Sequence, residues 1–232
     1  ADGCGLADLS RRTELKPPTA RNLLATLCEL GYAEQSEQTR AYRLGRRART
    51  MGHPQAKVER LRRAGAQTIK RLSDTINETI LLAVYQNGKR NTIVSIESDH
   101  ELRVGAQVGE DQHFYKTATG RLLLAMLPRR ECAQQIDRLG QPTADDWVQA
   151  TENVDAFQRE LATIARAGLS VLDKTGNHVT AVAVPVNTAP SGPIAALGLY
   201  YPSVRDNGER RQELVVLLKA AAAQVSEAYG RG

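Results

Sequence analysis

LADLSRRTELKPPTARNLLATLCEL, residues 6–30, is the stretch on which the reading of this chain turns. It divides into a short helix, a tight connection at residues 13–16 and a second helix starting at Pro17 or Pro18. Proline suits that start, because the first N–H groups of a helix have no intrahelical partner to lose. In the second helix Ala20, Leu23, Leu24, Leu27 and Leu30 fall on one apolar face, while Thr19, Arg21, Asn22 and Thr26 point away from it. Threonine and arginine hold phosphates, and arginine and asparagine make paired hydrogen bonds to guanine and adenine edges in a major groove. The pattern predicts a helix-turn-helix with those four residues facing DNA. An amphipathic helix pair with surface arginines is the plainer alternative, and the pattern alone leaves it open.

Working outward, Gly31-Tyr32 is followed by a polar run at 34–40 and by Tyr42-Arg43-Leu44-Gly45, which predicts two short strands around a turn. Such a β-wing would let Arg40 and Arg43 reach phosphates or an adjacent minor groove. Charge is distributed to match. Of the net +5, residues 1–75 carry 15 Lys/Arg against 8 Asp/Glu, and residues 76–232 carry 16 against 18. A basic head on a nearly neutral body suggests an anionic partner for the head, nucleic acid first among the candidates. Residues 45–55 hold two glycines and a proline without a sustained apolar period, which marks a join between two packed units.

Beyond the join, Val58, Leu61, Gly65, Ile69, Leu72 and Ile76 recur at helical steps over residues 57–76, a helix able to bridge domains or pair with a copy of itself. Residues 79–85 and 92–96 are rich in β-branched and apolar types, and the Asn87-Gly88 pair between them favours a tight hairpin. Residues 120–139 and 153–168 have helical spacing, the second stopped by Gly168. Strands are expected at 169–172, 179–186 and 194–200, and a last helix at 208–229 with Leu214, Leu217, Leu218, Ala221 and Val225 buried. Strands joined by hairpins and interspersed with helices indicate an α+β domain, an antiparallel sheet covered by helices.

Other classes find little support. The apolar runs at 122–127 and 214–218 fall far short of the roughly 20 residues of a bilayer span, and no signal segment opens the chain, so a cytoplasmic protein without a membrane partner is expected. Cys4, Cys28 and Cys132 are too scattered for a disulfide framework or a zinc spacing and read as reduced packing residues. His53, His100, His113 and His178 form no HExxH pair, and no GxSxG, GxGxxG or P-loop signature is present. No catalytic constellation and no cofactor are therefore expected; Gly105 and Gly109 read as turn residues, and a metal near His113 or His178 is left open. The competing class is a metabolite-binding α+β protein or enzyme with a basic appendage, distinguishable by its lack of sequence preference on DNA.

LADLSRRTELKPPTARNLLATLCELGYAEQ and YRLG in the head, TATGRLLLAMLP at 117–128, and AVAVPV at 181–186 followed by AALGLYYP at 195–202 together resemble the IclR-type transcription regulators. The resemblance runs across nearly the whole chain. It implies a winged helix-turn-helix at 1–50, a linker and linker helix at 51–76 and a GAF-like effector domain at 77–232, acting as dimers, often paired into tetramers, on double-stranded operator DNA. The family places a helix before the segment that begins at Leu6; this chain starts at Ala1 without it, so a longer natural N-terminus and weak DNA binding by the chain as it stands are expected. Carried over by position, the effector wall comprises Val104, Gly105, Ala118, Thr119, Gly120, Asp173, Ala181, Gly198 and Tyr200.

Thr119-Gly120-Arg121 opens a helix whose N–H groups and dipole favour a carboxylate, hence a small organic acid. Many relatives have cysteine where Ala181 stands and small hydroxyl residues where Gly198 and Tyr200 stand. The pocket is therefore expected to be less polar, with one aromatic wall, and its effector an aromatic or medium-sized carboxylate. A dimer built partly through residues 58–76 would set two recognition helices on a roughly palindromic operator, with effector binding shifting the spacing between them.

Overall fold

The computed structural model describes residues 3–50, 54–106, 108–151, 153–174, 178–188 and 192–231; His53 lies outside them. The chain divides into two compact units, 1–56 and 57–232.

In the first unit, α1 (Leu6–Thr13) and α2 (Pro17–Glu29) are joined by a turn whose Glu14 takes the left-handed conformation at φ 57°. Pro17 opens α2, as its missing donor permits. Strands β1 (Ala33–Gln35) and β2 (Tyr42–Leu44) form the antiparallel wing, with Ala33 opposite Leu44. Cys4 adds a single bridge to Tyr42, its N–H donating to the Tyr42 carbonyl at 2.8 Å. The glycine of the wing's end is forced: a Cβ at Gly45 would lie 2.4 Å from the Gly31 carbonyl oxygen.

The sequence reading of the α2 face needs correction. Ala20 is buried, but Leu23, Leu27 and Leu30 are 51, 41 and 47 % exposed. α2 packs chiefly on α1 and β1, and the covered strip narrows to Ala20 with the half-buried Leu24 and Cys28. The join is also less irregular than its composition suggests, since Arg46–Thr50 forms a short helix, α3.

In the second unit, α4 (Pro54–Ile76) leads into a six-stranded antiparallel sheet of order β5-β4-β3-β8-β7-β6. Its strands are β3 (Thr79–Gln86), β4 (Lys89–Ile96), β5 (Gly109–Asp111), β6 (Ser170–Lys174), β7 (Val179–Val186) and β8 (Ala195–Pro202). Asn87 and Gly88, both at positive φ, turn β3 into β4 as the sequence predicts. Residues 120–139 do not form one helix. Leu127-Pro128 breaks the run into α5 (Ala118–Met126) and α6 (Arg129–Leu139), because proline disfavours helical backbone in the residue before it. The short α7 (Ala144–Trp147) precedes α8 (Val154–Ala167), which Gly168 ends at φ 54°. The last helix is α9 (Gly208–Arg231).

Alternation along the strands splits the core in two. One sheet face sends Ile80, Leu82, Val84, Val182, Leu197 and Tyr201 against α4 and α9. The other sends Leu81, Ala83, Ala181, Ala183 and Tyr200 against the α5 to α8 layer, where Phe114, Trp147 and Phe157 are fully buried. The apolar stripe of α4 is thereby used within its own subunit: Leu61, Ile69 and Leu72 are buried, and a Cβ at Gly65 would meet Leu82 at 3.1 Å. That stripe is spent on the chain's own sheet, which leaves the exposed faces of α4 as the ones open to a second copy.

Candidate functional site

In the head, Thr19, Arg21, Asn22 and Thr26 all lie exposed on α2. The Thr26 hydroxyl donates back to the Asn22 carbonyl at 3.2 Å. On the wing, Arg40 stands in the left-handed turn, and its carbonyl accepts from Gln35 Nε2 at 2.9 Å. Arg43 faces Glu34 across the strand pair and donates to it at 3.1 Å. The same carboxylate accepts from the Arg46 N–H at 3.1 Å. Arg40 therefore offers its charge outward, whereas Arg43 is partly neutralised by its neighbour.

In the second unit a cavity of about 310 Å³ opens on the sheet face that carries α5. Its lining includes Leu81, Arg90, Thr92, Gly105, Thr117 and Tyr200. Thr117 caps α5 by accepting from the Gly120 N–H at 3.1 Å. Glycine at 120 is required by packing, for a Cβ there would stand 2.5 Å from Phe114 Cα. Gly198 plays the matching role on β8, where a Cβ would stand 2.5 Å from Thr119 Cγ2. These two contacts seat α5 directly on the sheet and bring the Thr119 hydroxyl to 3.4 Å from the Tyr200 hydroxyl. Burial pushes the Tyr200 phenol up from its ordinary value, so it serves as a neutral hydrogen-bonding group.

Arg90, 7 % exposed, is the buried cation of this site. Its Nη1 donates to Thr119 Oγ1 at 3.1 Å, its Nε donates to Asp111 Oδ1 at 2.9 Å, and its Nη2 closes the bidentate pair on Asp111 Oδ2. Two residues beyond Thr119 on α5, Arg121 has a different task. Its guanidinium, 4.1 Å above the Trp147 ring, donates to the carbonyls of Tyr115 at 2.7 Å and Asp146 at 2.8 Å, holding the segment that enters α5. Burial lowers its pKa to about 10.

Of the residues expected at the effector wall, Gly105 and Tyr200 line the cavity directly and Thr119 anchors its arginine. Ala118, Gly120, Ala181 and Gly198 are buried in the helix–sheet contact beneath it. Val104 is tied to the sheet, its carbonyl accepting from Thr79 Oγ1 at 2.5 Å. Asp173 is not brought to the cavity. It stands next to Leu172, which faces the α5 layer, so its own side chain points to the α9 face and meets Arg211 at 3.4 Å.

Sequence reasoning missed Arg90, Thr92, Asp111 and Thr117 as site residues. Arg90 and Thr92 stand on β4, Asp111 on β5 and Thr117 at the N-cap of α5. The available signal was slight: Arg90 and Thr92, two residues apart, share one face of a strand. His113 lies at the cavity's rim and His178 at the start of β7. Among the described residues no three His, Cys, Asp or Glu side chains converge on a metal-binding position. A larger groove of about 740 Å³ between α5, α6 and α8 includes none of the expected residues.

Comparison with known proteins agrees with this architecture. Residues 55–227 match the family described as bacterial transcriptional regulator IclR C-terminal, and residues 1–37 match the IclR helix-turn-helix domain. The chain is 28 % identical over 239 residues to the HTH-type transcriptional regulator KdgR of Escherichia coli, covering 97 % of this chain and 86 % of that protein. The crystal structure of the E. coli KdgR C-terminal domain superposes with a TM-score of 0.60 at 26 % identity, over 74 % of this chain and 99 % of that one. An IclR homologue from Microbacterium hydrocarbonoxydans, complexed with 4-hydroxybenzoate, shares the fold with a TM-score of 0.61 at 22 % identity, over 100 % and 93 % of the two chains.

Proposed function

The chain belongs to the IclR family of bacterial transcription regulators, with a DNA-binding helix-turn-helix and an effector-binding domain, and from that premise we propose that its effector is an aromatic or medium-sized carboxylate bound in the Arg90–Tyr200 cavity. One observation carries the reading: a buried arginine, Arg90, lies in the lining of the cavity beside Tyr200 and Thr92, a guanidinium suited to a charge-assisted hydrogen bond with an acid. The cavity is at the small end of ligand pockets, which run from about 300 Å³ upward. Its Tyr200 wall suits a ring, and the α5 N-terminus and Arg90 suit an acid. The homologue holding 4-hydroxybenzoate supports the same class.

On the DNA side Arg21 and Asn22 make the base contacts, and Thr19, Thr26, Arg40 and Arg43 hold phosphates. The protein acts in the cytoplasm as a homodimer on a two-fold operator; no described helix is long and apolar enough to cross a membrane. The relatives compared are transcription regulators, which favours this class over a catalytic one.

Thermal-shift measurements with a panel of aliphatic and aromatic acids test the effector. A ligand at a hundred times its dissociation constant adds about 2.7 kcal/mol of stability, and Ala106→Trp, which fills the cavity, abolishes the shift. Binding confined to two- and three-carbon acids, or undiminished in Ala106→Trp, would overturn the assignment.

A further inference from the structure

The guanidinium of Arg90 is held from two sides by groups of different character. Thr119, fully buried at the start of α5, fixes Nη1, with the Tyr200 hydroxyl beside it. Asp111 takes the Nε and Nη2 edge from β5, and its side chain is 24 % exposed. Strand β5 has three residues at the edge of the sheet and pairs with β4 alone. Its other ion pair, Lys89 with Glu110 at 2.8 Å, is 45 and 44 % exposed and contributes little in water. The contact with Arg90 is therefore the principal side-chain anchor of β5.

Arg90, Thr92, Glu110 and Asp111 all line the same cavity. While Asp111 occupies Arg90, the site holds a neutralised cation, a neighbouring acid and the unspent Thr92 hydroxyl. A second carboxylate gains little by entering such a site unless Asp111 leaves.

We propose that Asp111 is a built-in occupant of the effector's anion slot: a carboxylate-bearing ligand competes with the Asp111 side chain for Arg90, and its binding releases β5 from the sheet edge. The proposal rests on the cavity being the effector site and adds the residue that recognises the acid and the residue that the acid displaces. No covalent step is involved; one carboxylate replaces another on an unchanged guanidinium, and Asp111 passes into solvent. Release has a path to the linker helix. The loop leading to β5 is tied to the exit of α4 by Thr79 on the Val104 carbonyl at 2.5 Å and by Ser98 Oγ on the Asn77 carbonyl at 2.7 Å. Arg205, which grips Glu78, also donates to the Leu102 carbonyl of that loop at 2.9 Å. Movement of β5 thus pulls on the residues that follow α4.

Acetate is the probe, being small enough to stand in for the missing side chain. In Asp111→Ala, acetate raises the melting temperature saturably over chloride at equal ionic strength, whereas wild type and the Arg90→Gln/Asp111→Ala double variant show no such gain. An equal response in all three proteins overturns the proposal. Asp111→Asn retains the strand's shape and serves if the alanine variant does not fold: it binds 4-hydroxybenzoate about tenfold or more tighter than wild type, with 4-hydroxybenzamide unchanged. Loss of affinity, or an equal gain for the amide, again overturns it. Ala106→Trp separates the two levels. If it blocks acid binding while the Asp111 variants show no selectivity for carboxylates, the effector site stands and the displacement falls. If the Asp111 variants behave as expected while Ala106→Trp binds the acids normally, Arg90 is an anion slot but the cavity is not the effector site.

Discussion

The carboxylate of Glu78, with no exposed surface, is gripped by Arg205 from 127 residues away, through Nε at 2.8 Å and Nη2 at 2.5 Å. Arg210 adds a third contact at 3.0 Å. Glu78 stands between the end of α4 and the start of β3, so this cluster joins the linker helix, the sheet and the start of α9 at one point. Glu78→Ala would leave two arginines facing each other without their anion. Breaking a buried pair costs about 3–5 kcal/mol, and the lower end applies because both arginines reach solvent. Guanidinium unfolding measures the loss; a value below about 1 kcal/mol would place the pair with ordinary surface bridges.

Gly198 and Thr119 form a close contact between β8 and α5. Gly198→Ala is expected to lift the helix from the sheet at a cost of about 1–3 kcal/mol. Thr119→Ser removes the methyl that the new Cβ strikes while keeping the hydroxyl on Arg90, so the double variant should recover most of the loss. A double-mutant cycle with no coupling would show that strain lies elsewhere.

The orphaned hydroxyl of Thr92 predicts opposite effects on stability and binding. Thr92→Val preserves shape and removes an unsatisfied group, so the ligand-free protein should gain about 1 kcal/mol. Carboxylate affinity should fall at the same time. A variant that is less stable and binds equally well would remove Thr92 from the site.

Asp206 gives the protein an acid limb. Burial pushes its carboxyl up, but hydrogen bonds from Arg211 and from the Tyr201 hydroxyl at 2.9 Å outweigh that and leave it below the ordinary 3.8. With the folded pKa depressed, its contribution is present above pH 3.8 and is lost as pH falls through the folded value. Asp206→Asn should therefore be less stable at neutral pH, and its stability curve should converge on the wild-type curve in acid. Parallel curves from neutral pH down to acid would show that Asp206 does not titrate on unfolding.

On DNA, Arg21→Ala or Asn22→Ala should cost about 1–3 kcal/mol on an operator selected from random duplexes, while Arg40→Ala weakens all sequences alike. Arg43→Ala should matter less than Arg40→Ala, because Glu34 already holds Arg43. Equal losses for Arg21→Ala on operator and random DNA, read at matched salt, would remove its base-reading role.

Much of this was legible because it is encoded over a few residues. The turn before Pro17, the Asn87-Gly88 hairpin, the Gly168 helix stop and the strands at 79–86, 179–186 and 195–202 follow from local backbone preference and period, and the chain folds accordingly. The break at Pro128 was equally local and was missed because helical spacing on both sides masked it.

The sequence by itself determined the helix-turn-helix with its outward Thr19, Arg21 and Asn22, the α+β class and the family, since each depends on spacing and residue type. Tertiary structure alone decided which faces meet. It left Leu23, Leu27 and Leu30 in solvent, closed the α4 stripe against its own sheet and turned Asp173 away from the cavity. It also brought Arg90 to Asp111 and Glu78 to Arg205. Periodicity tells which side chains share a face, but the layer that covers that face, and the ion that neutralises a buried charge on it, are chosen by packing between segments far apart in the chain.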